Sequence, residues 1–313
     1  MLALLSAQAM AMAMAALTLA LSSGAEMMLS MFLLAASYTL LRLASITVSL
    51  YCRFSESCRP LVMPDSPDHA LTALPLAMGA ATLPASFDGI MLGNEVLDAM
   101  PCELVSRNVD GTLQQRGVTV LDGAFCYEDR PFTDAVLVGL AAALIPATPG
   151  YTSEISLANR AFIRTLGQTL QRGAIIMIDY GHSASEFYHP ERHMGTLLGH
   201  YRHHTVQDLF YLPGLMDITC HVDFSAVAQS GIDAGLDLIG YCSQAQFLIN
   251  CGITDLLSHL DAANVKQYLP LAKAAQRLLS PVEMGETFKV IGFGKGVDVD
   301  WQGFATGDRC YTL

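Results

Sequence analysis

The sequence predicts an α/β fold in which helices cover both faces of a sheet that contains parallel strands. Apolar runs of strand length occupy residues 87–93 and 174–181. Residues 155–171 repeat apolar side chains at helical spacing and lead directly into the second run. Because a helix that runs straight into a strand is half of a βαβ crossover, this order favours parallel strands.

The first part of the domain is predicted to contain a strand and a hairpin. Asp88-Gly89 is a turn dipeptide that opens an apolar run ending at Asn94, which indicates a buried strand. Residues 102–108 and 112–121 form the arms of the predicted hairpin. Asp110-Gly111 between them supplies the positive φ angles of a tight turn.

The later elements follow from capping residues and periodicity. Gly173 is placed to close the helix at 155–171, and the strand after it ends near Asp179. Asp223 and Ser243 are predicted helix N-caps. The elements predicted from there on are a helix through Ala234, a strand at 236–241, a helix through Asn250, a helix at 265–279 and a strand at 288–293.

Composition excludes several classes of protein. Of the 313 residues, 52% are hydrophobic and 15% are charged, which excludes a disordered polymer. The net charge of −12 argues against a nucleic-acid partner. Eight scattered cysteines form no CxxC pair, so a zinc or thioredoxin-type site has no support, and reduced thiols of a cytoplasm-like compartment are expected.

Residues 1–82 are predicted to form an atypical leader, separate from a domain at 83–313. Leu2 to Leu21 carries no charge and is long enough to span a bilayer as a helix. Ala, Ser, Thr and Gln dilute its hydrophobicity, and no Lys/Arg cluster flanks it, so a membrane association is not favoured. Three interpretations stay open: a non-native or frameshifted leader, a divergent soluble helix, and a membrane anchor within residues 1–51.

The phrase DGIMLGNEVLDAMPCE (88–103) resembles the MidA-type S-adenosylmethionine-dependent methyltransferase family, which includes a mitochondrial protein arginine methyltransferase that assists assembly of respiratory complex I. The resemblance covers most of 83–295. Further matching phrases, in the same order, are SEI (153–155), IDYGHSASEFYHPERHMGTLLGHYRHH (178–204), PGLMDITCHVDFSAVA (213–228), GLDLIGYCSQAQFLINCGI (235–253) and MGETFKVIGFGK (284–295).

The resemblance implies a Rossmann-like class I methyltransferase fold, S-adenosyl-L-methionine as cofactor and a protein acceptor, with arginine as the candidate side chain. It implies a cytoplasmic protein, or a mitochondrial one in a eukaryote. The family places a glycine-rich loop after its first strand, but Gly24 and Gly79 are isolated in residues 1–82. We therefore expect an atypical or incomplete amino-terminal part and weak cofactor binding, arising from a frameshift or from divergence.

Three polar residues lie just past the strand at 87–93. The resemblance implies that this position faces both cofactor and acceptor, which makes Asn94 and Glu95 cofactor-binding candidates. A guanidinium stays protonated in solution, so its methylation needs a carboxylate to hold it and another to accept a proton. Glu95 and Asp98 are the catalytic candidates. The alternative for Asp98 is that it caps or solvates the turn.

Asp179 and Tyr180 end the next strand and fall on the same edge if the strands are parallel. Asp179 is a catalytic candidate that orients the acceptor, and Tyr180 is a candidate to line the acceptor channel. The alternative is that Asp179 binds the backbone amides of a neighbouring loop.

Six histidines lie between 182 and 204, without the HExxH spacing of a zinc site, and the resemblance implies no metal either. This segment is predicted to cover the active-site edge, where His200, His203 and His204 would bind the acceptor protein. His221 is a further acceptor-binding candidate. A purely structural loop is the alternative.

Three functions from different classes therefore compete. The leading one is a protein methyltransferase. The second is a non-catalytic assembly or binding protein of the same family, and the third is a membrane-anchored protein through residues 1–51. The sequence leaves the acceptor and the oligomeric state open.

Overall fold

The computed structural model describes residues 47–51, 76–77 and 83–313, apart from His203. Most of the predicted leader, including the apolar run from Leu2 to Leu21, lies outside the described residues, and so does the predicted acceptor-binding His203. In the part of the chain that is described, none of the helices is both long enough and apolar enough to cross a membrane.

The described part of the chain contains the following strands and α-helices. The strands are β1 (Thr47–Tyr51), β2 (Leu76–Ala77), β3 (Phe87–Asn94), β4 (Glu103–Arg107), β5 (Leu113–Leu121), β6 (Ala124–Arg130), β7 (Thr152–Ile155), β8 (Leu170–His182), β9 (Leu198–Tyr201), β10 (His204–Val206), β11 (Asp217–Thr219), β12 (Val222–Asp223), β13 (Asp237–Ser243) and β14 (Phe288–Lys295). The helices are α1 (Ala135–Leu144), α2 (Leu157–Thr169), α3 (Ala184–Phe187), α4 (Phe224–Asp233), α5 (Gln244–Asn250), α6 (Ile253–Ser258) and α7 (Val265–Leu279).

The main sheet has the strand order β13-β14-β8-β3-β1-β2, and β12 also pairs with β8. Strands β3 and β8 are parallel, as the helix-to-strand order predicted. The sheet as a whole is mixed, because β14 is antiparallel to both β8 and β13 and β1 is antiparallel to β3. The carboxyl ends of β3 and β8 therefore meet at one edge, where open α/β sheets bind their ligands.

Both faces of this sheet are buried, which explains the continuous apolar runs of its central strands. Successive side chains of a strand point to opposite faces. Leu92 and Ile176 accordingly pack in one core with residues of α5 and α7, while Met91 and Ile175 pack in the other with residues of α2 and α4. This arrangement confirms the predicted α/β architecture with helices on both faces.

Two smaller sheets lie between elements of the main sheet. The chain from β3 to α2 contains an antiparallel sheet of order β6-β5-β4-β7. The chain from β8 to β12 contains a second one, of order β10-β9-β11. Since both insertions leave the main sheet after the carboxyl end of a central strand, they lie next to the candidate site.

The predicted end of the helix at 155–171 is wrong. Helix α2 stops at Thr169, and Leu170 is already extended because it pairs with Phe87 of β3. Gly173 therefore lies within β8, where its φ of 137° and the adjacent carbonyl oxygen of Gly89 leave no room for a Cβ atom. Pairing between strands overrides the local stop signal.

The predicted N-caps are confirmed, because the side chains of Asp223 and Ser243 accept hydrogen bonds from the amides of Ala226 and Gln246. The predicted hairpin is confirmed as β4 and β5, but of the Asp110-Gly111 pair only Gly111 has a positive φ, at 89°. Helix α1 is not predicted from the sequence. Its residues AVLVGLAAAL are apolar throughout, so they show no amphipathic period.

Candidate active site

The chain turns sharply where β3 ends. Glu95 has a φ of 50°, which is uncommon for a residue other than glycine, and its amide donates to the carbonyl of Ile178 at 2.9 Å. The side-chain amide of Asn94 donates to Glu95 Oε1 at 3.3 Å. Both side chains are half-buried at the sheet edge. The structure thus brings Asn94 and Glu95 together at the predicted position.

Asp179 holds the loop that follows this turn. Its buried Oδ2 atom accepts hydrogen bonds from the amides of Val96, Leu97 and Asp98 at 3.1, 2.9 and 3.3 Å. Its Oδ1 atom accepts from the amide of Tyr180 at 2.9 Å. Burial and the neighbouring Asp98 raise the pKa of this carboxyl, while the amide bonds act in the opposite direction. This arrangement agrees with the alternative prediction, in which Asp179 binds the backbone amides of a neighbouring loop.

Asp98 is buried beside Asp179, with a relative exposure of 5%. Its Oδ2 atom accepts a hydrogen bond from the hydroxyl of Tyr180, and burial raises the pKa of the Asp98 carboxyl. Its Oδ1 atom has no hydrogen-bond partner among the described residues. Asp98 therefore offers a buried oxygen that can accept a bond from a ligand.

A further carboxylate, Asp217, joins this group. Burial and then the charge of Asp98 raise the pKa of Glu95, and the charge of Asp217 contributes to the raised pKa of both Glu95 and Asp98. We call Glu95, Asp98 and Asp217 the acidic group. Sequence reasoning missed Asp217, because it lies far along the chain on β11, and no local motif links it to Glu95.

The acidic group is bordered by two histidines that end β8 and precede β12. The parallel pairing of these strands brings His221 Nδ1 within 3.1 Å of His182 Nε2. Burial lowers the pKa of each imidazole to about 4. The ring of His221 lies edge-on to Tyr180 with a centroid separation of 5.2 Å. The predicted acceptor-binding residues Tyr180 and His221 thus lie next to each other.

The other predicted histidines lie farther out. His200 is half-buried on β9, opposite Asp217 in the register, and His204 is exposed on β10. Among the described residues, neither histidine forms a hydrogen bond with the acidic group. In the same described part, no group of three or more potential metal ligands is present.

Glu154 on β7 supports the part of the site that contains His221. This buried carboxylate accepts from the amides of Thr196 and Leu197 at 2.9 and 3.0 Å. The hydroxyl of Thr196 in turn accepts from the amide of His221 at 3.0 Å. Glu154 thus positions His221 through Thr196. The sequence phrase SEI contains Glu154, but only the pairing of distant segments indicates its role.

A mixed α/β sheet with helices on both faces, and acidic groups at the carboxyl ends of its parallel strands, defines a protein of the class I methyltransferase type. Residues 73–242, more than half of the chain, match the family model described as "Putative S-adenosyl-L-methionine-dependent methyltransferase". The chain belongs to this family, whose cofactor is S-adenosyl-L-methionine.

Curated relatives cover part of the chain. It is 31% identical over 118 residues to the mitochondrial protein arginine methyltransferase NDUFAF7 of Danio rerio, which is 37% of this chain and 26% of the relative. It is 26% identical over 205 residues to the mitochondrial NDUFAF7 homolog of Caenorhabditis elegans, which is 64% of this chain and 46% of the relative. The matched part is thus about a quarter to a half of these relatives.

Two crystal structures from Burkholderia thailandensis are similar in fold and sequence. One has a TM-score of 0.71 and 48% identity, covering 74% of this chain and 62% of its own. The other, bound to S-adenosyl-homocysteine, has a TM-score of 0.71 and 47% identity, covering 75% of this chain and 60% of its own. These likenesses confirm the MidA-type resemblance.

Proposed function

We propose that this chain transfers a methyl group from S-adenosyl-L-methionine to a protein, with an arginine side chain as the acceptor. The observation that carries the proposal is the acidic group, in which Asp98 presents a buried oxygen without a partner among the described residues. A protonated guanidinium provides both the charge and the donors for such a site. The names of the NDUFAF7 relatives, which are protein arginine methyltransferases, support the same acceptor.

The described residues supply one part of a cofactor-binding site. Asn94 and Glu95 are polar and half-buried at the carboxyl end of a central strand, where they would contact S-adenosyl-L-methionine. When bound, this cofactor supplies an electrophilic methyl group and leaves as S-adenosyl-homocysteine. A glycine-rich loop would complete its pocket, but residues 1–82 contain no such phrase, and the G-x-G-x-G phrase at 292–296 belongs to β14 and the turn after it.

Each residue of the site has a proposed role. Asp98 holds the guanidinium, and Tyr180 orients the Asp98 carboxylate by donating to it. Glu95 accepts the proton that the guanidinium nitrogen loses, since its raised pKa makes it a stronger base than an exposed glutamate. Asp179 is a positioning residue for the loop of 96–98. His221, His200 and His204 line the route of the acceptor.

Glu95→Gln tests this assignment. The full chain is incubated with methyl-labelled S-adenosyl-L-methionine and an arginine-containing peptide. We expect kcat to fall by at least about a hundredfold, because the amide cannot accept the proton. Circular dichroism should show an unchanged fold. Because Glu95 is also a proposed cofactor contact, calorimetric titration with S-adenosyl-homocysteine separates a loss of cofactor binding from a loss of turnover. Exposed Glu283→Gln is the matched control. Equal turnover in the Glu95 variant and the native chain would remove Glu95 from the mechanism.

A non-catalytic binding protein is the second candidate, and one observation favours it. Strand β1 is antiparallel to β3, so its amino end at Thr47, and not its carboxyl end, lies beside Asn94. A cofactor loop placed after β1 would start at the wrong edge. Calorimetric titration of the full chain with S-adenosyl-homocysteine separates the candidates: micromolar, one-to-one binding supports the enzyme, and no binding supports the non-catalytic protein.

A mitochondrial location in a eukaryote, or a cytoplasmic one in a bacterium, is part of the proposal. The mitochondrial names of the NDUFAF7 relatives support the first. Cell fractionation followed by protease protection tests it. Recovery in the membrane fraction after a carbonate wash would instead favour an anchor within residues 1–51.

A further inference from the structure

The hairpin of β5 and β6 carries an exposed apolar face. Val118 lies opposite Tyr127 and Val120 lies opposite Phe125 in the register, so the four side chains share one face of the hairpin. Their relative exposures are 54, 42, 61 and 51% in that order. Large exposed apolar surfaces of this kind commonly mark a binding site for a partner.

Phe210 adds a further aromatic ring to this face. Its ring centroid lies 6.0 Å from that of Phe125 and 4.9 Å from that of Tyr127. We call Val118, Val120, Phe125, Tyr127 and Phe210 the apolar platform. A cation on the same face is already neutralised, since Arg116 pairs with Asp129 at 2.7 Å and lies over the Tyr127 ring.

The apolar platform is connected along the chain to the acidic group. The segment that begins at Phe210 reaches exposed Leu215 and Ile218, with relative exposures of 71 and 40%. Asp217 lies between them in the chain, and the amide of Cys220, three residues further on, donates to the carbonyl oxygen of Asp98 at 3.1 Å. Successive side chains of β11 point to opposite faces, so Asp217 and Ile218 do not share a face. The segment from Phe210 to Cys220 therefore connects the apolar platform to the acidic group along the chain.

We propose that the apolar platform and Asp217 bind the segment of the acceptor protein that carries the methylated arginine, and that this segment has apolar side chains flanking the arginine. The inference rests on the proposed function and specifies its substrate. Charge complementarity identifies the occupant, because the acidic group requires a cation and the protein as a whole carries a net charge of −12. Apolar flanking residues gain affinity by covering the platform.

A peptide-binding experiment tests the inference without requiring catalysis. The probe is a fluorescein-labelled peptide of sequence GLFGRGFLG, measured by anisotropy with the full chain. One matched peptide has citrulline in place of arginine, which removes the charge and keeps the shape. Another has serine in place of each leucine and phenylalanine. We expect the parent peptide to bind about tenfold more tightly than either matched peptide.

Variants locate the binding surface. The double variant Val120→Ser and Phe125→Ser should weaken binding of the parent peptide about tenfold and leave the serine peptide unchanged. Val282→Ser with Val299→Ser is the matched control, because both valines are exposed, with relative exposures of 93 and 50%. Asp217→Asn should reduce the preference for arginine over citrulline. If the double variant does not fold, Val118→Ser alone should weaken parent-peptide binding about threefold.

Equal binding of the three peptides, or equal loss in the platform and control variants, would overturn the inference. So would a dimer that the platform variant dissociates in sedimentation velocity while peptide binding persists, since the platform would then bind a second copy. Preferred binding of the parent peptide without methyl transfer would support this inference and reject the proposed activity. Methyl transfer without any dependence on apolar flanking residues would support the proposed activity and reject this inference.

Discussion

The floor of the site and the apolar platform beside it are built in opposite ways. We define the floor as Asp98, Asp179 and Tyr180. Asp98 and Asp179 are buried, and all three are tied to each other or to backbone amides by hydrogen bonds. Four of the five platform side chains are more than 40% exposed, Phe210 is half-buried, and the rings of Phe125, Tyr127 and Phe210 contact one another. Floor substitutions should therefore affect folding, whereas platform substitutions should affect binding.

Asp179→Asn should remove hydrogen bonds of the floor and cause the largest loss of stability. The amide group of asparagine would point a donor at amides that need an acceptor, so buried N–H groups lose their partners. We expect the free energy of unfolding to fall by about 3 kcal/mol, measured by urea denaturation. Exposed Asp237→Asn is the control and should change it by less than about 0.5 kcal/mol. A similar small change in both variants would show that Asp179 does not hold the loop.

Gly181→Ala should separate the two strands that carry the histidine pair. A Cβ atom at this position would collide with the carbonyl oxygen of Val222, so β8 and β12 would have to move apart. We expect a loss of about 2 kcal/mol in the free energy of unfolding and shifted imidazole NMR resonances.

Gly139→Ala is the matched control for this substitution. Gly139 lies on α1, and a Cβ atom there would meet nothing within 4 Å. This change should stabilise the protein by about 0.5 to 1 kcal/mol, since alanine favours the helix. Unchanged stability and imidazole resonances in the Gly181 variant would contradict the tight strand pairing.

The histidine pair should make the free energy of unfolding depend on pH, and this effect is expected to be the smallest. The pKa of His221 falls from 6.5 to about 4 on folding, because of burial and the charges of His182, Arg192 and Lys289. The unfolded chain therefore takes up a proton first as the pH falls, so stability is lost between pH 6.5 and 4. Glu186, 3.5 Å from His182, opposes this effect.

His221→Asn removes this titration. Between pH 7 and pH 5, the native chain should lose about 1 kcal/mol more stability than the variant. Denaturation at the two pH values measures the difference. Carboxyls with raised pKa values act in the opposite direction, but they are present in both proteins and largely cancel. A greater loss in the variant would reverse the assigned direction of the His221 pKa shift.

Local signals explain what the sequence predicted. The strand before Asn94, the pairing of β4 with β5 and the caps at Asp223 and Ser243 each depend on neighbouring residues, and all are confirmed. The end of α2 was mispredicted, because its position depends on pairing between strands that are distant in the chain.

The site was only partly predictable for the same reason. The sequence placed Glu95 and Tyr180 at one edge, because parallel strands end together. It left two roles open for Asp179, because the hydrogen-bond donors of this carboxylate lie 81 to 83 positions away and no local motif marks them. Asp217 and the apolar platform were missed, because the register and the ring contacts that join them to the site arise only in the folded chain.

The bonds from Asp179 to residues 96–98 also constrain the order of folding. The loop and its acceptor are separated by more than 80 residues, so we expect the loop to close only once β3 and β8 have paired. Contacts at such separation form slowly, because a long loop must first lose its entropy. The acidic group should therefore assemble in one late step, and partly folded chains would carry no half-formed site that binds a cation.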